Sequence, residues 1–158
     1  MHEELTKAGV RSVGTADVDS LRRAGAVFID VRPSNDFEKG HIEGSISVPL
    51  FQPITGWDGN KLARRAAYAF FGIANGTEAN ENFEADVMAA ADKGDRIVMV
   101  CATGGTLESS TNFKRGKQSR SLMAAYEMLL LGFKDIKFVD GGINQWYMEE
   151  REVFVLSD

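Results

Sequence analysis

The amino-acid sequence predicts an α/β domain organised on a mostly parallel sheet, and three observations carry that expectation. Nearly apolar runs at residues 27–31 and 96–100 have the character of strands covered on both faces, and 136–139 reads as a further strand. Stretches with helical spacing lie between them, so strand and helix alternate along the chain. A length of 158 residues with 44% hydrophobic content suits one compact domain with its own core, and no repeat or interior linker divides it.

Each element follows from local chemistry. Thr15 can cap a short helix over residues 16–24, which Gly25 closes. The strand at 27–31 runs into Asp30-Val31-Arg32-Pro33, where the proline stops regular structure. Ser34 can cap one helical turn through Lys39, and Gly40 ends it. Residues 46–48 read as a strand stopped by Pro49, and 51–60, with Pro53, Gly56 and Gly59, as a loop. Two helices follow. Leu62, Ala66, Ala69, Phe70 and Ile73 recur at helical spacing in the first, and Phe83, Val87, Ala90 and Ala91 in the second. After the strand at 96–100 comes a polar stretch, 102–118, and then an amphipathic helix. On that helix Leu122, Ala125, Tyr126, Leu129 and Leu130 share the expected buried face, with Gly132 just past its end. The strand at 136–139 leads into Asp140-Gly141-Gly142 and a short helix carrying Trp146.

Composition excludes several classes of function. Eighteen Lys and Arg against twenty-three Asp and Glu leave a net charge of −5, and no basic run exceeds two residues, so nucleic-acid binding is not expected. The longest apolar stretch, 97–102, is far short of the ~20 residues that span a bilayer. Residues 1–5 show no basic segment leading into an apolar one, so the expectation is a soluble intracellular protein, the cytoplasm included. One cysteine, Cys101, cannot make an internal disulfide, a CxxC pair or a thiolate zinc site. No metal and no cofactor are expected.

In open α/β sheets, ligands bind beyond the carboxyl ends of the strands. Asp30 with Arg32, Cys101, and Asp140-Gly141-Gly142 all fall at such ends. Cys101 is followed by Gly104-Gly105, whose backbone N–H groups can turn toward one point, and by a helix start near Ser119. A thiol in that setting is favoured as the nucleophilic thiolate. Free cysteine is also among the most buried residue types, so packing accounts for the position about as well.

Two flanking motifs decide between these. The stretch Asp30-Val31-Arg32-Pro33 through Phe37, Gly40-His41-Ile42-Glu43-Gly44 and Pro49 resembles the N-terminal signature of the rhodanese, or sulfurtransferase, family. Gly132-Phe133 through Val139-Asp140-Gly141-Gly142-Ile143 and Trp146 resembles its C-terminal signature, and Cys101 lies where that family keeps its active-site cysteine. The similarity spans residues 12–151, taken as one rhodanese-like domain, with 1–11 as an N-terminal extension and 152–158 as a tail. It implies a parallel sheet of about five strands with helices on both faces. It also implies transfer of a sulfane sulfur, from thiosulfate, a thiosulfonate or a persulfide, through a persulfide on Cys101 to a thiol or cyanide. An acceptor protein fits as well, and the chain is expected to be a monomer. The anion-binding loop would comprise Ala102, Thr103, Gly104, Gly105, Thr106, Ser119, Arg120 and Ser121. Asp30 and Arg32 would pair and brace that loop from the neighbouring strand, and His41 would be a hydrogen-bonded turn residue.

The chain departs from the pattern at one place. Typical members place a basic residue and Ser or Thr a few positions past the cysteine, whereas Arg120 comes nineteen positions after Cys101. Residues 106–118 look like an insertion, similar to that of plant and algal chloroplast members, which also carry helices like Phe70-Phe71-Gly72; the resemblance thus implies a chloroplast protein. Either Gly104-Gly105 forms the cradle alone with the insertion as a lid, or Ser119-Arg120 folds back to complete it. Lys114, Arg115 and Lys117 could attract an anionic donor. Phosphatase or arsenate-reductase chemistry needs an Arg six positions after the cysteine, where Leu107 stands. A binding or regulatory module with little turnover is the remaining alternative. With no second cysteine, a persulfide on Cys101 would need an external acceptor.

Overall fold

Alternating side chains along the central strands feed two separate cores, and this positions everything else. In the computed structural model, which describes residues 1–53 and 77–156, the first elements are α1 (His2–Lys7), β1 (Arg11–Val13) and a 3₁₀ turn (Thr15–Asp17). They are followed by α2 (Val18–Arg23), β2 (Val27–Asp30), α3 (Ser34–Lys39), β3 (Ile46–Ser47) and β4 (Phe51–Pro53). Then come β5 (Thr77–Ala79), α4 (Phe83–Ala90), β6 (Arg96–Val100), α5 (Arg120–Leu130), β7 (Asp135–Val139) and α6 (Gly142–Met148). Five strands form one parallel sheet in the order β1-β7-β6-β2-β3, and β4 and β5 form a separate antiparallel pair.

Because successive strand residues face opposite ways, Ile97, Met99 and Cys101 enter one core while Val98 and Val100 enter the other. The first core is closed by Leu5 of α1, Phe83 and Val87 of α4, and Leu122, Ala125 and Met128 of α5. The second is closed by Val18 of α2 and by Ile143 and Trp146 of α6. Helices therefore cover both faces. Each fully buried Leu, Ile, Phe or Met contributes roughly 1.5–3 kcal/mol by leaving water. The loops that leave these parallel strands for the helices lie at the carboxyl edge of the sheet, where Cys101 stands.

Several expectations change. The four strands legible in the residues become five with β1, which has one apolar residue in three and pairs Arg11, Ser12 and Val13 with Lys137, Phe138 and Val139. Leu5 and Val10, within the stretch set apart before residue 12, are buried in the first core. Residues 51–53, read as loop, are a strand because they pair with 77–79. The remainder of that loop and the helix carrying Leu62 to Ile73 lie outside the described residues. Thr15 caps no helix; its hydroxyl donates to Glu149 at 2.7 Å. Ser34 is the first residue of α3, capped by Pro33 without a side-chain bond. Leu130 is 66% exposed. At about 100° per residue, the buried stripe of α5 centres on Ser121, Ala125 and Met128, and Leu130 falls on the far side.

Candidate active site

β6 delivers Cys101 to the carboxyl edge, and α6 then holds the backbone there. The carbonyls of Cys101 and Ala102 accept the Ile143 and Asn144 N–H groups at 2.9 and 3.0 Å. The approach is close enough to demand glycine: a Cβ on Gly142, at φ +62°, would stand 2.3 Å from the Cys101 carbonyl oxygen. Gly104, at φ +74°, is under the same constraint, its Cβ falling 2.4 Å from the Val139 carbonyl oxygen. These two contacts explain why Asp140-Gly141-Gly142 and Gly104-Gly105 occur together in the chain. They are the two sides of one seam.

Cys101 is 1% exposed and packs in the first core. Its sulfur accepts the Gly104 N–H at 3.3 Å. The neighbouring Gly105 N–H turns back to the Thr103 carbonyl, and the Thr106 N–H goes to Lys117, so of the glycine pair only Gly104 addresses the sulfur. The expectation of both glycines facing one point is thus halved, because Thr103 competes for the second N–H.

The insertion is a hairpin-like excursion with a closed neck. Thr106 and Lys117 exchange backbone bonds at 2.9 and 2.8 Å. The chain therefore returns beside its point of departure, and Ser119 lies next to Gly104 and Gly105. Its hydroxyl donates to the Gly104 carbonyl at 2.7 Å and accepts the Leu122 N–H at 3.1 Å, capping α5. Of the pair Ser119-Arg120, Ser119 thus lies back against Gly104, whereas among the described residues no hydrogen bond or ion pair joins Arg120 to this loop. Arg120 and Ser121 occupy the first turn of α5, and the fully buried Ser121 hydroxyl has no hydrogen-bond partner among the described residues. Lys114, Arg115 and Lys117 are exposed and form no ion pair among the described residues.

Asp30 and Arg32 pair as expected, both almost fully buried. Arg32 Nε and Nη2 donate to the carboxylate at 2.9 and 2.7 Å, and the Arg32 backbone N–H adds a third bond at 3.1 Å. Burial works against the Arg32 charge, but the hydrogen bond and charge of Asp30 outweigh it, and the guanidinium is held above its ordinary value. The loop they brace is their own. Arg32 Nη2 donates to the Gly40 carbonyl at 2.8 Å, just past α3, and not to the cysteine loop. The connection to the cysteine strand is a backbone bond from Val31 N–H to the Val100 carbonyl at 2.9 Å. His41 donates from Nδ1 to the Phe37 carbonyl at 3.0 Å and stacks on the Phe37 ring, as a turn residue does.

Sequence reasoning located the helix start near Ser119 but missed its bond to Gly104, since only the closed neck brings the two together. A Ser immediately before an apolar periodic run was the available signal for the cap. Nothing in the spacing marked the other bond.

Comparison with known proteins gives a consistent picture. The family model described as "Rhodanese-like domain" matches residues 15–149. The chain is 39% identical over 157 residues to rhodanese-like domain-containing protein 14, chloroplastic, of Arabidopsis thaliana, covering 99% of this chain and 70% of that protein. It is 27% identical over 135 residues to thiosulfate sulfurtransferase 16, chloroplastic, of the same plant, covering 85% of each. Among solved structures, the rhodanese-like domain of an Anabaena protein aligns with a TM-score of 0.57 at 14% identity, covering 92% of this chain and 79% of that one; it shows the shared fold.

Proposed function

Because the chain belongs to the rhodanese-like domain family, we propose that it is a sulfurtransferase with Cys101 as its nucleophile. The observation that carries this reading is the Gly104 N–H set 3.3 Å from the Cys101 sulfur, at the carboxyl end of a central strand. In the first step the Cys101 thiolate attacks the outer, sulfane sulfur of thiosulfate. A new S–S bond forms, the old one breaks, and sulfite leaves with the bonding pair. In the second step cyanide or an external thiolate attacks the terminal sulfur. The persulfide S–S bond breaks and its electron pair restores the Cys101 thiolate. A backbone N–H already directed at sulfur favours the anionic forms throughout. Having no second cysteine, the chain leaves discharge to an outside acceptor.

Lys114, Arg115 and Lys117, exposed and without an ion pair among the described residues, support an anionic donor. Replacing all three with Ala should raise KM for thiosulfate more than it lowers kcat; an unchanged KM would remove them from donor attraction. The chloroplast named for two relatives supports that compartment for this chain too. Among the described residues no helix is long and apolar enough to cross a membrane. A fluorescent fusion of the full-length protein that stays outside plastids would overturn the assignment.

The 1% exposure of Cys101 favours one other reading, a binding module that keeps the fold with little turnover. Intact-protein mass spectrometry separates the two. Incubation with thiosulfate should add one sulfur atom to the wild type and none to Cys101→Ala, and cyanide should remove it as thiocyanate. A wild-type protein that gains no sulfur from any of several donors belongs to the second reading.

A further inference from the structure

The insertion divides the cysteine loop into two pieces, residues 101–105 and the start of α5, that are far apart in the chain and must be registered in space. Ser119 is the side chain that touches both. It is 8% exposed, donates to the Gly104 carbonyl at 2.7 Å and accepts the Leu122 N–H at 3.1 Å. A Cβ on Gly105 would stand 2.7 Å from the Ser119 hydroxyl oxygen, so backbone and side chain are already at contact. The Gly104 residue that Ser119 grips is the one whose N–H meets the Cys101 sulfur. A hydroxyl that donates on one side and accepts on the other can serve both pieces at once; a carboxylate or an alkyl group cannot.

We infer that Ser119 is a positioning residue that stitches the split loop together and keeps the Gly104 N–H aimed at the Cys101 sulfur. Its helix cap is the anchor for that bond. Neither the neck nor the cations of the insertion can substitute, because the Thr106–Lys117 bonds fix the excursion to itself and, among the described residues, the Gly104 carbonyl has no other donor. The inference rests on Cys101 as the nucleophile, but its test reads the thiol and needs no turnover.

The test is the pH dependence of Cys101 alkylation by iodoacetamide, followed by intact-protein mass spectrometry; with one cysteine in the chain, one adduct reports one site. Ser119→Ala loses both cap and stitch. Ser119→Gly loses the stitch while remaining a favourable helix-capping residue. Ser119→Thr keeps both bonds, at an extended position (φ −148°, ψ 168°) that suits a β-branched residue. In Ser119→Ala and Ser119→Gly alike, the alkylation midpoint should move upward by about one pH unit, the size of one weakened hydrogen bond to an anion. Ser119→Thr should overlay the wild type. A midpoint unmoved in Ser119→Gly overturns the inference and leaves Ser119 a helix cap. So does a midpoint that follows thermal stability across the three variants instead of the presence of the hydroxyl. Absence of sulfur transfer with these alkylation shifts intact would count against the proposed function alone.

Discussion

Two loops leave neighbouring parallel strands at the same edge of the sheet, yet they are held in opposite ways. Asp30 ends β2 opposite Val100 of β6, and the two chains part from there. The Asp30–Arg32 loop is closed by side chains: a buried carboxylate and guanidinium bond each other and, through Gly40, the far end of their own loop. The Cys101 loop is closed by backbone and by absent side chains, with glycines that let two stretches of main chain approach. Its single reactive group receives one N–H bond. A loop saturated by charged partners has nothing left to offer a ligand. A loop held from behind by main chain keeps its thiol uncommitted. The buried charge pair and the candidate nucleophile thus stand on adjacent strand ends.

The largest effect should come from the first loop. Asp30→Ala leaves Arg32 buried without its counter-charge, and removing one partner of a buried pair costs about 3–5 kcal/mol. Denaturant unfolding checks it, with Asp30→Asn, which keeps some hydrogen bonding, losing less. A loss under about 1 kcal/mol would mean that the pair is not what closes this loop.

The second loop should yield to a single methyl group. Gly104→Ala places a Cβ 2.4 Å from the Val139 carbonyl oxygen at φ +74°. Gly9→Ala meets the same kind of backbone, φ +77°, with nothing within 4 Å. The left-handed conformation alone costs about 1–2 kcal/mol, so that is the expected loss at Gly9. Gly104→Ala should exceed it by a further ~1–2 kcal/mol of overlap and should also abolish sulfur loading of Cys101. Equal losses and equal loading in the two variants would show that close approach is unimportant to this loop.

What could be read from the sequence follows the same division. The Asp30–Arg32 pair was legible because two residues two apart at a strand end need no further information to meet. Strands β2 and β6 were legible because burial on both faces leaves a nearly continuous apolar run, and β7 because Ile136, Phe138 and Val139 mark a strand despite Lys137. β1 was not, since an edge strand stabilised by its partner's backbone needs few apolar residues of its own, and Arg11 and Ser12 are exposed. The face of α5 was misjudged at Leu130 because apolar residues on both flanks of the stripe satisfy a helical period, and only contact decides between them. Cys101 and its glycines were recognisable as a candidate site. The Gly142–Cys101 seam and the Ser119 bond were not, because both join segments through main-chain proximity that spacing does not encode.

The smallest effect concerns the strut behind the cysteine loop. α6 meets the Cys101 and Ala102 carbonyls at its first turn, and at its other end Glu149 is clamped. Glu149 accepts Arg151 Nε at 2.6 Å, Gln145 Nε2 at 2.8 Å and the Thr15 hydroxyl at 2.7 Å. The Arg151 hydrogen bond, followed by those of Gln145 and Thr15, lowers its carboxyl from the usual 4.5 to about 2. A carboxyl depressed in the folded state stabilises fully above its unfolded value and loses that contribution as pH falls through the folded one. The clamp should therefore hold above about pH 4.5 and weaken between there and pH 2. Because Glu149 is at the surface, the loss should be small and reduced further by salt. Glu149→Gln should flatten this part of the acid-unfolding curve, so that wild type and variant converge toward pH 2. Curves that run parallel from pH 5 to pH 2 would separate the clamp from the acid response and leave α6 anchored by Ile143, Trp146 and the cysteine loop alone.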